Sequence, residues 1–213
     1  MIVHALEEAV ALGSLYPRER LVEDELMERF EAKRHVVRRA LQELEVRGVV
    51  ERRKNAGALI RAYTAREVCD VYVVREILET QAARLIQVPV GPQRLEELRD
   101  LQRRHDAAAE AGDPRGTMYA NIAFHEAVFA LSDNDALVEA IRLHARKTYA
   151  MRSITVNSSD ILANARREHW HMITALEEGN TDRLAELARA HLLPSRDAYL
   201  ARIVASQEPL ATR

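Results

Sequence analysis

The segment "NIAFH", residues 121 to 125, sets an amide and an imidazole four positions apart. On a helix, Asn121 and His125 therefore project from one face, a turn from each other. Further along, "EHWHMITALEEGNTDRLAELARAHLL" reads as two helices turning at Gly179 and Asn180, with His169 and His191 equally far from that turn. In an antiparallel helix pair such positions lie at one level, so the two rings can meet across the groove. Together the four side chains offer three nitrogens and one oxygen, a donor set for a divalent ion inside a helical bundle. Eight His and a single Cys favour imidazole over thiolate ligation if the rings converge. Taken singly, a histidine on an amphipathic helix is more ordinarily a partly exposed or hydrogen-bonded residue, which is the reading for His4, His105, His144 and His171.

The second chemistry is positive charge. The whole chain carries −2, but residues 33 to 61 hold nine Lys and Arg against three acids, which leaves the other 184 residues at −8. An anion-binding first part joined to an acidic remainder follows from that asymmetry. In "RHVVRRALQELEVRG", Val36, Val37, Ala40, Leu41 and Leu44 fall on one helical face, while Arg34, Arg38 and Arg39 fall largely outside it. Arg34 and Arg38 lie one turn apart near the start of that helix, where a guanidinium fork can pair with guanine or clamp phosphate. Lys33, His35 and Arg39 beside them, and Arg52, Arg53 and Lys54 in the following hairpin, extend the basic surface. An isolated basic helix is usually a solvated face. A basic third helix behind an acidic second one and before a basic hairpin favours DNA instead.

Elements must position these groups. Only 7 Gly and 6 Pro, with apolar residues three and four apart, predict a mainly helical protein. Helices are expected at 2–12, at 22–30 and from Arg34 to Gly48, followed by β-rich runs "VVERR" and "ALIRA" around "KNAG". That order describes a winged helix-turn-helix, whose third helix enters the DNA major groove. The Thr64-x-x-Glu67 pattern opens a new helix as a capping box, so the domain boundary is placed at 63/64: a winged domain over 1–63 and an antiparallel α-helical bundle over 64–213. Six helices are expected in the bundle, at 66–87, 92–111, 114–131, 134–155, 159–178 and 181–203, with Pro194 bending or interrupting the last. Cys69, in "EVCDVYVV", reads as a buried structural thiol. No apolar run approaches a membrane span and no signal peptide is evident, so the expected location is the cytoplasm.

The stretch "YPRERLVEDELMERFEAKRHVVRRALQELEVRGVVERRKNAGALI" resembles the DNA-binding domain of GntR-type bacterial transcription regulators, through Arg34, Val37, Arg38, Ala40 and Leu41 and on through Leu44, Gly48, Val50 and Gly57. The resemblance implies that Arg34 and Arg38 contact the operator and that Gly57 belongs to a wing following the minor groove. Arg18 stands where that family usually has Gly, Lys33 for Ser, His35 for Thr and Arg39 for Glu, so the operator sequence is not carried over. Residues 66 to 205 resemble the FCD ligand-binding domain of the FadR subfamily, through "VREILETQAARLI", Asn121 and His125, Glu168-His169, and His191. The matching positions there bind a divalent metal, commonly zinc or nickel, beside a cavity for a small carboxylate effector. Asn121 replaces the commoner Asp, which implies a weaker site resting more on the three imidazoles.

Arg75 is a candidate for the effector carboxylate, with a structural pair to Glu79 as the equal alternative; Arg152 is a second candidate, and Trp170 reads as packing. The expected protein is a metabolite-responsive regulator, by family default a repressor, that binds a palindromic double-stranded DNA operator as a homodimer. One rival is a metal-dependent hydrolase, for which a general base is lacking because Glu168 is expected to face away from the site. The other keeps DNA binding and makes the metal site purely structural.

Overall fold

The structure is a computed structural model that describes residues 1–53, 57–153 and 158–207. Among them α1 (Ile2–Ala11), α2 (Glu23–Arg29) and α3 (Arg34–Val46) lead into a three-stranded antiparallel sheet. Its order is β1 (Arg20–Leu21), β3 (Gly57–Ile60), β2 (Val50–Arg53). The first strand was not expected: two residues are too few to show an alternating pattern, and Arg20–Leu21 pairs with Leu59 and Ala58 only because the fold brings them together. Lys54, expected at the hairpin tip, lies outside the described residues. Arg18, ahead of β1, takes φ 72°, the left-handed region that glycine fills most cheaply. Gly48 ends α3 at φ +75°, and a Cβ there would meet the Tyr63 hydroxyl at 3.0 Å. That hydroxyl donates to the Gly48 carbonyl.

The bundle comprises α4 (Ala65–Leu85), α5 (Pro92–Glu110), α6 (Pro114–Ala130), α7 (Asp135–Lys147), α8 (Tyr149–Arg152), α9 (Ser159–Glu177) and α10 (Thr181–Gln207). At its start the Thr64 hydroxyl accepts from the Glu67 N–H while the Glu67 carboxylate accepts from the Thr64 N–H. The helix expected over 134–155 is instead two. Thr148 separates α7 from α8: fully buried, it donates to the Ala145 carbonyl and accepts from Arg75. Positions 154 and 155 of the expected helix fall outside the described residues. Conversely, α10 runs through Pro194 without interruption. Cys69 is exposed on α4, not buried, because the inward face of that helix is taken by Val68, Tyr72, Arg75 and Glu79. No helix is long and apolar enough to cross a membrane among the described residues.

Three apolar clusters result among the described residues, the smallest joining Tyr63, Val68, Tyr72, Met151, Leu192 and Tyr199. In the first, Leu6, Val37, Leu41, Leu44, Val50 and Ile60 join α1, α3 and the sheet, and Ala150 of α8 packs into the same cluster. The second is built around Phe124, Leu98, Met172, Ile173, Leu176 and Leu184. Phe124, wholly buried, contributes about 2–3 kcal/mol by removal from water. Its ring stacks on His169 at 4.4 Å, so the core itself fixes one of the site's imidazoles.

Candidate metal centre and DNA-reading surface

Three helices bring three imidazole edges to one point. His125 Nε2 on α6 lies 3.1 Å from His191 Nε2 on α10 and 3.2 Å from His169 Nε2 on α9. Their outer nitrogens explain why these edges face inward. Asp106 accepts from Trp170 Nε1, Arg166 Nε and Gln102 Nε2, which turns the Gln102 oxygen toward His169 Nδ1 at 2.7 Å. His169 therefore carries its proton on Nδ1 and presents a lone pair at Nε2. His191 Nδ1 donates to Glu168 at 2.6 Å and in its neutral form presents Nε2 likewise. One proton on His125 cannot satisfy two such lone pairs. Nitrogens bound to one ion at 2.0–2.1 Å in tetrahedral geometry stand roughly 3.3 Å apart, so the observed spacing suits a small divalent cation. The three histidines could hold a metal ion. Burial holds His125 and His169 well below the usual imidazole range, which keeps them unprotonated and able to ligate.

Glu168 corrects the sequence reading. Expected to face away, it reaches across the helix groove to His191 and also accepts from Asn164. Burial pushes its carboxyl up, but these hydrogen bonds outweigh that and bring it below the ordinary range. The carboxylate orients the His191 ring, an arrangement usual at metal sites. Of the two readings for His105, the hydrogen-bonded one holds, its Nδ1 lying 3.5 Å from Gln102 Nε2, and the partly exposed one does not. His105 is 1% exposed, its ring lies 5.1 Å from His169, and burial lowers it to about 4. Its signal was its place one turn from Gln102 on α5, legible only once Gln102 is known to hold His169.

A cavity of about 100 Å³ opens beside the three rings, lined among others by Arg75, His105, Asn121, Tyr149 and Arg152. Asn121 is 6% exposed, and its Nδ2, like His125 Nδ1, has no hydrogen-bond partner among the described residues. Two orphaned polar atoms at a buried position are expensive, and an occupant of the cavity is the ordinary remedy. Arg75 forms the expected pair, its Nε donating to Glu79 at 2.8 Å, while another nitrogen donates to Thr148 and the side chain lines the cavity. Burial, then the nearby Arg75 charge, depresses Arg152. Trp170 packs against the second core and takes no part in the lining.

The other surface is open. Lys33, Arg34, His35, Arg38 and Arg39 are all exposed on or beside the start of α3. Arg38 Nε lies 2.9 Å from Glu23, and Arg34 reaches Asp24 at 2.5 Å and Glu23 at 3.4 Å. Val36, expected inside, is 43% exposed among these basic groups because Val37, Ala40, Leu41 and Leu44 already fill the inward stripe. Arg53 is exposed and paired with Glu51 at 2.7 Å. Gly57 takes φ +75°, and a Cβ there would meet nothing within 4 Å among the described residues.

Residues 70–193 match the family model described as "FCD domain", and residues 1–60 match "Bacterial regulatory proteins, gntR family". The chain belongs to the GntR family of bacterial transcription regulators. Its FCD architecture is that of the FadR subfamily, a non-enzymatic DNA-binding class. The chain is similar to the Nta operon transcriptional regulator of Aminobacter aminovorans, 27% identical with 92% of each protein covered. It is 31% identical to a probable D-xylose utilization operon transcriptional repressor of Paenarthrobacter nicotinovorans, over 73% of this chain and 67% of that one. Solved structures share the fold of this GntR-family chain. A putative GntR regulator from a Rhodococcus species has a TM-score of 0.79 at 22% identity, covering 97% of both chains. E. coli McbR/YncC has a TM-score of 0.80 at 20% identity, covering 95% of this chain and 96% of that one.

Proposed function

We propose that this GntR-family regulator represses transcription in the cytoplasm as a homodimer on a palindromic operator, and that a small carboxylate bound beside a divalent metal controls it. Residues 1–63 form the reading part and 64–213 the sensing part. His125, His169 and His191 supply three metal ligands and the Asn121 amide oxygen the fourth; zinc and nickel both suit this donor set. Arg75 and Arg152 receive the effector. Arg34 and Arg38 contact the operator, with Lys33, His35, Arg39 and Arg53 on the flanking backbone and Gly57 in the wing along the minor groove. The single observation that carries the sensing half is the convergence of three Nε2 atoms, His125 lying 3.1 and 3.2 Å from the other two, with outer nitrogens of those two held by Glu168 and Gln102.

Homodimerisation is supported by α4. Cys69, Val73 and Ile77 recur every four residues on its outer side, and Val73 and Ile77 are 55% and 61% exposed. An apolar stripe of that kind on a regulator is suited to a second copy of itself. Communication is supported by two contacts. Ala11 of α1 lines the cavity, and Glu8 of α1 pairs with Arg115 at 2.9 Å and with Tyr119, both on the helix that carries Asn121 and His125. In addition, α8 carries Arg152 at the cavity and Ala150 in the core of the reading part. An effector acts through different affinities for the DNA-competent and DNA-incompetent arrangements, and these contacts are where such arrangements would differ.

The test is metal analysis of the purified protein beside its His169→Ala variant, with operator binding followed as organic acids are added. Stoichiometric metal lost in the variant, together with acid-dependent release of DNA, is expected. A natural chain without affinity for zinc or nickel would overturn the metal-centred reading. If metal binds but no organic acid shifts melting or DNA affinity, the site is structural only.

A further inference from the structure

The charges that surround the cavity cancel before any ion enters. Arg75 is paired with Glu79 at 2.8 Å and Arg142 with Glu126 at 2.6 Å, while Arg152 and Glu168 line the chamber with one charge of each sign. The donors themselves are three imidazoles and the amide of Asn121, none of them anionic. A divalent cation there leaves two positive charges uncompensated beside the buried His169 and Asn121, where unpaired charge is penalised. Asn121 and His125, both lining the chamber, each carry a buried nitrogen without a partner among the described residues.

We infer that the chamber takes its divalent ion together with a small dianionic acid as one electroneutral unit, each binding poorly without the other. This rests on the metal-centre reading above and adds to it the charge class of the effector and its thermodynamic dependence on the ion. One acid group of the ligand completes the ion's coordination; the second lies against the Arg152 and Arg75 side of the chamber. A void of about 150 Å³ holds a benzene ring, so about 100 Å³ admits a diacid of roughly two to four carbons. Monocarboxylates neutralise half of the excess and bind correspondingly less well. Linkage makes the dependence reciprocal: whatever factor the diacid adds to ion affinity, the ion adds to diacid affinity.

The experiment is calorimetric titration of Zn²⁺ into metal-free full-length protein at constant ionic strength, alone, with malonate and with propionate, corrected for complexation in solution. Malonate is expected to tighten Zn²⁺ binding at least tenfold and propionate less than threefold, with malonate binding undetected when zinc is withheld. In Asn121→Asp, a near-isosteric change that puts one negative charge among the donors, zinc alone binds at least tenfold more tightly and the malonate enhancement shrinks; its melting curve verifies folding. Zinc binding that malonate and propionate leave equally unchanged overturns this inference and leaves the metal centre standing. Absence of zinc binding under every condition overturns both.

Discussion

On α3, Arg34 and Arg38 keep roughly half of their side chains in water and rest against Glu23 and Asp24, whereas Arg75 is buried against Glu79 and Thr148. The residue type is the same and the energetics are opposite. An exposed ion pair contributes about 0–1 kcal/mol, so in the proposed reading role the α2 acids would hold these arginines in place yet surrender them readily to phosphate. Breaking a buried pair costs about 3–5 kcal/mol, so Arg75 is fixed, and an incoming ligand must fit a charge pattern already set. Weak pairing suits a surface that must find many phosphates quickly. Strong pairing suits a chamber that must refuse most anions.

The comparison breaks most easily with salt. Raising it from 50 to 200 mM should weaken operator binding on the order of 10³-fold, while metal affinity changes little; equal sensitivity in parallel titrations would remove the distinction. Next in size, Arg38→Ala should lower operator affinity about 100-fold, summed over two half-sites, with an unchanged melting curve. Gln102→Ala acts on the buried side alone: losing the acceptor for His169 Nδ1 should cost about 10- to 100-fold in metal affinity, read by competition with a chelator, with operator affinity of the effector-free protein unchanged. Glu23→Gln should give a several-fold gain in non-specific DNA affinity, because it frees Arg38 from its partner; a loss in filter binding would show instead that Glu23 organises the reading surface.

The smallest effect concerns the joint between the regions. Thr64→Ala removes the cap of α4 and should cost about 1 kcal/mol in chemical denaturation. The hydrogen bonds from the Thr64 backbone and hydroxyl hold the Glu67 carboxyl below its ordinary range. A depressed carboxylate stabilises the fold above its unfolded pKa and loses that contribution as pH falls through the folded value. The deficit of the variant is therefore expected to be largest near neutrality and to shrink in acid.

Much of this was legible in the sequence because it depends on local pattern. The Thr64–Glu67 box, the inward stripe of Val37, Ala40, Leu41 and Leu44, and the equal spacing of His169 and His191 about their turn all follow from helical geometry. What escaped depends on partners remote in the chain. Cys69 looked buried among apolar neighbours, but its helix already had an inward face. Glu168 was assigned to the wrong side because a backbone direction ignores the reach of a long side chain into a groove. Thr148, where the expected helix divides, accepts from Arg75, 73 positions away, and no window of neighbouring residues contains that contact.

Ala11 belongs to the first helix of the chain yet forms part of the wall around the histidines. A shortened protein beginning at residue 64 would thus lack one panel of its own sensor, and water would enter where Ala11 now excludes it. Such a fragment, even if it folds, should grip its ligand less firmly than the intact polypeptide: the part that touches the genome is also a piece of masonry in the room where the signal arrives.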